Sequence, residues 1–278
     1  MDKAEQISDG FHKLLNQHGF GFQYAVLKRA MDLATSKHSK WQAQASEFPT
    51  EVQDKPTHID FLLKRPERDY FLVCECKRVN ASLANWCFAK SPFVRLYLKS
   101  TSVIAEQVTR VSDGSPVFSK PYQWAQSPNI FHLGLEVRAN QKSDSIDSGR
   151  NAITEAVTQV LRGTNGLANL YGRYPQMLKP SSHILLIPVV FTTATLWMSD
   201  VKLDSADVET GKLTNTAELR KTGWLIYDHH QSPGIRHSLL ADGALNTLDQ
   251  ILIMQYARSI CIVSWEGIDD FLSWSSAQ

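Results

Sequence analysis

Thr57-His58-Ile59-Asp60-Phe61-Leu62-Leu63-Lys64, the turn Arg65-Pro66-Glu67-Arg68, and then Asp69-Tyr70-Phe71-Leu72-Val73-Cys74-Glu75-Cys76-Lys77-Arg78-Val79 form the stretch on which the fold turns. Two runs of apolar residues flank a short polar break containing proline, the pattern of two strands in an antiparallel hairpin. Glu75 and Lys77 interrupt an otherwise apolar strand. Residues two apart on a strand project to one face, so this carboxylate and ammonium are expected side by side. Burying such groups is costly unless they are paired or bound to a metal. In the first strand Ile59, Phe61 and Leu63 are expected to form one apolar face, leaving Asp60 on the other, within reach of Glu75. Two carboxylates brought together repel, which invites a divalent cation between them.

That grouping suits metal-assisted hydrolysis of a phosphate ester. Oxygen ligands from Asp60, Glu75 and the backbone carbonyl of Cys76 would hold Mg²⁺, with Mn²⁺ as the alternative ion. Lys77 would orient the attacking water or stabilise the negatively charged transition state. Lys64, Arg65, Arg68 and Arg78 lie nearby in sequence and would hold a phosphodiester backbone.

Outward from this hairpin, Phe11 to Gln17 and Phe22 to Thr35 read as helices, with Gly19 and Gly21 between and around their joint. In the second helix Phe22, Val26, Ala30 and Leu33 share one face. Glu47 to Val52 reads as a short strand, and Pro49 would suit an edge. Residues 80–150 read as an insertion with its own β-hairpin: Val94 to Val111 as one or two strands, Ile130 to Arg138 as another. The segment with Gly114, Pro116, Pro121 and Pro128 between them reads as loop. Ala152 to Arg162 is a predicted helix with an apolar stripe of Ile153, Ala156, Val157 and Val160, stopped by Gly163. Ile184 to Phe191 reads as a strand buried on both faces, as in a parallel position. Trp224 to Tyr227 and Ile260 to Val263 read as further strands, Leu245 to Tyr256 and Gly267 to Trp274 as helices. No repeat or low-complexity linker divides the chain, so one elaborated α/β domain over 1–278 is expected.

The order of these features resembles the PD-(D/E)XK, or restriction-endonuclease-like, nuclease superfamily. Asp60, a gap of fourteen residues, and Glu75-x-Lys77 at the end of an apolar strand match its motif. A leading helix, three antiparallel strands, a later helix and another strand match its order over residues 20–80 and 150–191. Ile59 stands where a proline is usual, and the insertion at 80–150 lengthens the common spacing. The resemblance implies a mixed central sheet flanked by helices. It also implies metal binding by Asp60 and Glu75 and assistance to the nucleophile by Lys77. A Gln on the following helix recurs in several branches, which makes Gln159 a candidate catalytic residue. Many members present a Glu from the first helix; Gln23 holds a similar place here, with Glu5 and Glu47 as alternatives.

The 278 residues carry 29 basic and 28 acidic side chains. The distribution is uneven: residues 55–110 hold ten basic and five acidic groups, residues 200–278 six and eleven. The basic stretch offers a local field for a polyanion, or its partner charges lie on the C-terminal quarter. Seven Trp and 21% charged residues exclude a disordered chain, a collagen and a coiled coil. The apolar run Ile184 to Phe191 is too short to span a bilayer, and the Met1 start carries no secretory pattern. Cys74, Cys76, Cys87 and Cys261 have neither zinc nor disulfide spacing, so a reducing cytoplasm is the expected setting.

Other features carry less. His58 either touches the site or is a hydrogen-bonded structural histidine. His229-His230 reads as solvated loop, and Gly163-Thr164-Asn165-Gly166 as a helix stop rather than a phosphate loop. Trp86, Phe88, Phe93 and Tyr97, interleaved with Lys90, Arg95 and Lys99, fit packing better than base stacking. The functional expectation is a Mg²⁺-dependent deoxyribonuclease, by analogy of bacterial restriction or phage defence. It would act on DNA as a homo-oligomer or with partner subunits, with no membrane association. The competing expectations are a non-catalytic nucleic-acid-binding or assembly protein that keeps the fold, and an enzyme of another class.

Overall fold

A computed structural model describes residues 3–52, 54–80, 84–91, 101–137, 152–213, 218–230 and 257–278. Helices α1 (Lys3–Gln17) and α2 (Phe20–Thr35) lead into strands β1 (Gln42–Val52), β2 (Lys55–Arg65) and β3 (Tyr70–Lys77). Next come β4 (Asn85–Ala89), β5 (Ser102–Arg110), β6 (Val117–Gln126), β7 (Ile130–Phe131) and β8 (Leu133–Val137). Helix α3 (Ala152–Arg173) precedes β9 (Ser182–Thr192), β10 (Thr195–Ser199), β11 (Leu219–Thr222), β12 (Trp224–His230), β13 (Ala257–Ser264) and α4 (Ile268–Ala277).

Among the described residues, nine strands build a mixed sheet in the order β1-β2-β3-β9-β13-β12-β7, with β5 added to β9 and β6 to β5. β1, β2 and β3 are antiparallel; β3, β9 and β13 run parallel. This is a mixed α/β architecture, with helices on both faces of the sheet. The apolar β9 has β3 along one edge and β5 and β13 along the other, and its alternate side chains enter the cores on both faces of the sheet.

Alternation divides the core into two layers. Phe71, Val73, Leu186 and Val190 pack with Ile153, Val157, Val160 and Leu161 of α3. Leu72, Cys74, Leu185 and Ile187 pack with Val26 and Ala30 of α2 and Phe271 and Leu272 of α4. Each Val, Leu, Ile or Phe side chain among them contributes about 1.5–3 kcal/mol when removed from water. The β-structure from Asn85 to Val137, expected as an insertion with its own hairpin, enters two sheets. β5 and β6 extend the main one, while β4 and β8 join β10 and β11 in a separate sheet ordered β11-β10-β4-β8.

Several expectations are corrected. Gly163 does not stop α3, which continues to Arg173. A Cβ at Gly163 would lie 2.8 Å from Ile59 Cγ1, and one at Gly166 2.6 Å from Thr50 Oγ1. These glycines let the helix lie against β2 and β1 rather than ending it. The expected loop around Pro121 is strand β6, which among the described residues pairs with β5 alone, an edge position of the kind that tolerates proline. His229 and His230 belong to β12, opposite Arg258 and Ala257, not to a loop. Trp86 and Phe88 are fully buried, as packing requires. The expected helix at 245–256 and residues Phe93, Arg95, Tyr97 and Lys99 lie outside the described residues.

Candidate active site

The β2–β3 ladder runs from Arg65–Tyr70 to Phe61–Cys74 and ends there. Beyond it the strands part, and the Asp60 side chain fills the gap: the Cys76 amide donates to Asp60 Oδ2 at 2.6 Å. Phe61 and Leu63 pack toward α2 and α4, whereas Ile59 packs toward α3. The alternation therefore breaks at Asp60, correcting the single face expected of Ile59, Phe61 and Leu63. The cause lies partly in β1. Glu47, opposite Asp60 between the pairs Ser46–Phe61 and Phe48–Ile59, has a φ of 49°. A non-glycine residue in this region is uncommon, and such positions concentrate at functional sites.

Asp60, Glu75, Cys76, Lys77 and Gln159 converge on one cleft of about 270 Å³, joined by Gln23, Glu47 and Arg78. Glu75 follows Phe71 and Val73 onto the α3 face and is buried, with 8% of its surface exposed. Burial pushes its carboxyl well above the usual range, and the neighbouring Asp60 pushes it further. Asp60 is itself raised to about 6, chiefly by burial, against the opposing bond from the Cys76 amide. Lys77 Nζ lies 3.0 Å from Glu155 Oε2 of α3. One turn further along α3, Gln159 faces the same cleft.

The opposite wall comes from the α1–α2 joint. Gly19 takes a φ of +78°, a left-handed conformation suited to glycine, and begins α2 by accepting the amides of Phe22 and Gln23. Gln23 is buried at 5% exposure. Its Nε2 donates to Glu47 Oε1 and, at 3.0 Å, to the Asp60 carbonyl. The Arg78 guanidinium donates to the Asn16 carbonyl, fastening the end of β3 to α1. Glu155 and His18 also reach or border the cleft, and neither was foreseen.

The structure separates other candidates from this cleft. Lys64 pairs with Asp69 at 3.0 Å and lies over the Phe71 ring. Arg65 is buried near Glu67, and Arg68 donates to the Gln278 carbonyl. All three sit at or beside the hairpin turn, about 13 Å or more along the strand from Asp60. The expected phosphate grip beside the carboxylates therefore reduces to Arg78. His58, exposed and paired with Pro49 in the ladder, stays outside the cleft, as does the exposed Glu5 of α1.

The donor set fits a hard divalent cation. Cys76 donates its N–H toward the gap between β2 and β3, and a strand residue directs its carbonyl to the same edge as its N–H. Carboxylate oxygens of Asp60 and Glu75 and this carbonyl thus border one space, and burial with repulsion from neighbouring carboxylates raises both carboxyls. Among the described residues, no group of three or more His, Cys, Asp or Glu is gathered closely enough to enclose an ion. No helix among them is long and apolar enough to cross a membrane. No family model, no curated protein and no solved structure matches this chain.

Proposed function

We propose that this protein is a metal-dependent nuclease of the PD-(D/E)XK type, hydrolysing DNA phosphodiester bonds in this cleft. The observation that carries the reading is the meeting of Asp60, Glu75 and Lys77 where β2 and β3 part, with both carboxyls raised by burial and proximity. Surface ion pairs do not need such an arrangement; a cation site does.

Asp60, Glu75 and the Cys76 carbonyl would hold Mg²⁺ or Mn²⁺, which when bound would acidify a water and offset charge on the phosphate. The chain's own groups do the rest. Lys77 presents its ammonium from the strand end, where it orients the attacking oxygen and donates to the charge that develops on the phosphoryl oxygens. Glu155 holds that ammonium in place from α3. Gln159 supplies amide hydrogen-bonding groups one turn away. Gln23 fixes the Asp60 backbone and the Glu47 carboxylate together, so the acidic wall is set before substrate arrives. Arg78 is the basic group best placed to receive a neighbouring phosphate.

Incubation with plasmid and linear DNA in Mg²⁺, Mn²⁺ or EDTA tests this. Cutting that needs the metal and disappears in Lys77→Ala and Asp60→Asn is the expected result. DNA binding that persists in the wild type without cutting under any of these ions would point instead to a non-catalytic module. Size measurement with and without DNA tests the proposed assembly into oligomers.

A further inference from the structure

We infer that a second cavity beside the cleft is a stacking pocket for an unpaired nucleobase, making single-stranded or locally opened nucleic acid the substrate class. The inference builds on the nuclease reading for the phosphate, but a different set of side chains carries the base. The cavity, of about 430 Å³, is lined by Phe22, Ala25, Thr193, Thr195, Ser264 and Trp265 among others. It opens where the parallel strands β9 and β13 end, the position at which open α/β sheets receive ligands.

Its walls are aromatic and its remaining groups hydroxylic. The Phe22 and Trp265 rings lie 6.4 Å apart at 58°. Trp265 keeps 48% of its surface exposed, unlike the buried Trp41 and Trp86. Its position is nonetheless fixed. The Ser264 amide and hydroxyl both donate to the Gly223 carbonyl at 2.9 Å. Gly267 and Gly223 approach so closely that a Cβ at Gly267 would lie 2.1 Å from that carbonyl. A half-exposed tryptophan on a rigid turn is a ready stacking platform, since little ordering is needed on binding.

The charge of the pocket selects the ligand. Its one charged lining residue, Glu266, is paired with Lys221 at 2.6 Å. A phosphate would find no free cation among these side chains, whereas a neutral, flat, hydrogen-bonding ring finds two aromatic rings, the Thr195 hydroxyl, and the donor that Thr193 keeps and the acceptor that Ser264 keeps. Two links join this pocket to the carboxylate cleft. Phe22 adjoins Gln23, which donates to the Asp60 carbonyl. Thr193 donates its amide to the Lys77 carbonyl at 3.3 Å and accepts the Val79 amide at 3.0 Å. A strand with a phosphate at Lys77 thus passes the pocket with an adjacent base, and a base stacked within a duplex cannot enter without flipping out.

The test is fluorescence anisotropy of the full chain in EDTA with labelled single-stranded DNA, the matching RNA, and the DNA duplex. Single strands are expected to bind at least about tenfold more tightly than duplex. Trp265→Ala is expected to remove roughly that factor, while Trp265→Phe keeps most of it. Ala25→Leu, a change a helix tolerates and one that fills the cavity, is expected to act like Trp265→Ala, and circular dichroism checks that each variant is folded. Loss in both DNA and RNA marks the base as the ligand; loss in one identifies the sugar that accompanies it. Preference for duplex, or single-strand binding unchanged in folded Trp265→Ala and Ala25→Leu, overturns the pocket. Adding Mg²⁺ separates the two readings. Trp265-dependent binding without cleavage sinks the nuclease and leaves the pocket, and cleavage indifferent to both pocket variants does the reverse.

Discussion

Lys77 at the end of β3 and Glu155 in the first turn of α3 are joined by a 3.0 Å ion pair, although 78 positions separate them in the chain. The pair closes the cleft on the helix side and holds the ammonium that the proposed chemistry uses. The Lys77 side chain is 22% exposed and that of Glu155 43%, so the pair contributes little to stability and matters through position. Glu155→Gln is expected to lower the metal-dependent cleavage rate by about tenfold, with substrate affinity and thermal midpoint nearly unchanged. Lys77→Ala should cost about a hundredfold or more. Steady-state kinetics on a defined oligonucleotide separates the two, and a Glu155→Gln loss confined to KM would contradict the positioning role.

The raised carboxyls set a pH dependence for the metal-free protein. Asp60 sits at about 6 when folded, against an ordinary 3.8. Below that ordinary value both states hold the proton, and the group is neutral in the balance. As pH rises to about 6 the unfolded chain releases its proton first, so stability falls; above it the loss is complete, at about 3 kcal/mol. Glu75, raised in the same direction, adds to the trend. Thermal melts in EDTA are expected to drop by several degrees between pH 4.5 and 7.5. A midpoint that climbs over this interval would rule out the burial of two like charges.

Replacing one of those charges should then stabilise the empty site. In Asp60→Asn the amide oxygen still accepts the Cys76 N–H while the repulsion on Glu75 disappears. At pH 7.5 in EDTA the variant is expected to melt above the wild type by an amount on the order of 1–3 kcal/mol. Millimolar Mg²⁺ should reverse the ranking, because only the wild type gains from binding. For the same reason the Mg²⁺ midpoint of the wild type should fall as pH rises through 6, since binding must displace a proton. Calorimetric titration at two pH values checks this.

How legible this site was in the sequence varied with how local its causes are. Glu75 and Lys77 could be placed together because strand alternation is a two-residue rule, and the structure keeps it from Phe71 through Glu75. Alternation alone does not place Asp60: its position follows from the end of the Phe61–Cys74 ladder and from Glu47 across the strand pair, which are tertiary facts. Lys64, Arg65 and Arg68 were close in number but remote in space, because an extended strand advances about 3.3 Å per residue. Glu155 and His18 gave no signal, since only the docking of α3 and of the α1–α2 joint brings them near. Gly163 misled because a glycine serving close packing and one ending a helix look alike in one dimension.

Gly163 also offers a way to move the site without touching its chemistry. The Cβ of an alanine there would stand 2.8 Å from Ile59 Cγ1, and Ile59 directly precedes Asp60. The added methyl gains up to about 1 kcal/mol of helix propensity but forces α3 off β2, an overpacking cost of about 1–3 kcal/mol. Because Ile59 is fully covered, with 2% exposure, the strand must yield with the helix, and Asp60 shifts with it. Gly163→Ala is therefore expected to lower the thermal midpoint by a few degrees and to weaken Mg²⁺ binding by several-fold. Gly10→Ala in α1, where nothing lies within 4 Å of the new Cβ, should do neither. Paired melts with and without Mg²⁺ read both effects, and a Gly163→Ala protein that loses stability yet binds the metal as the wild type does would break the proposed link between helix packing and the carboxylate pair.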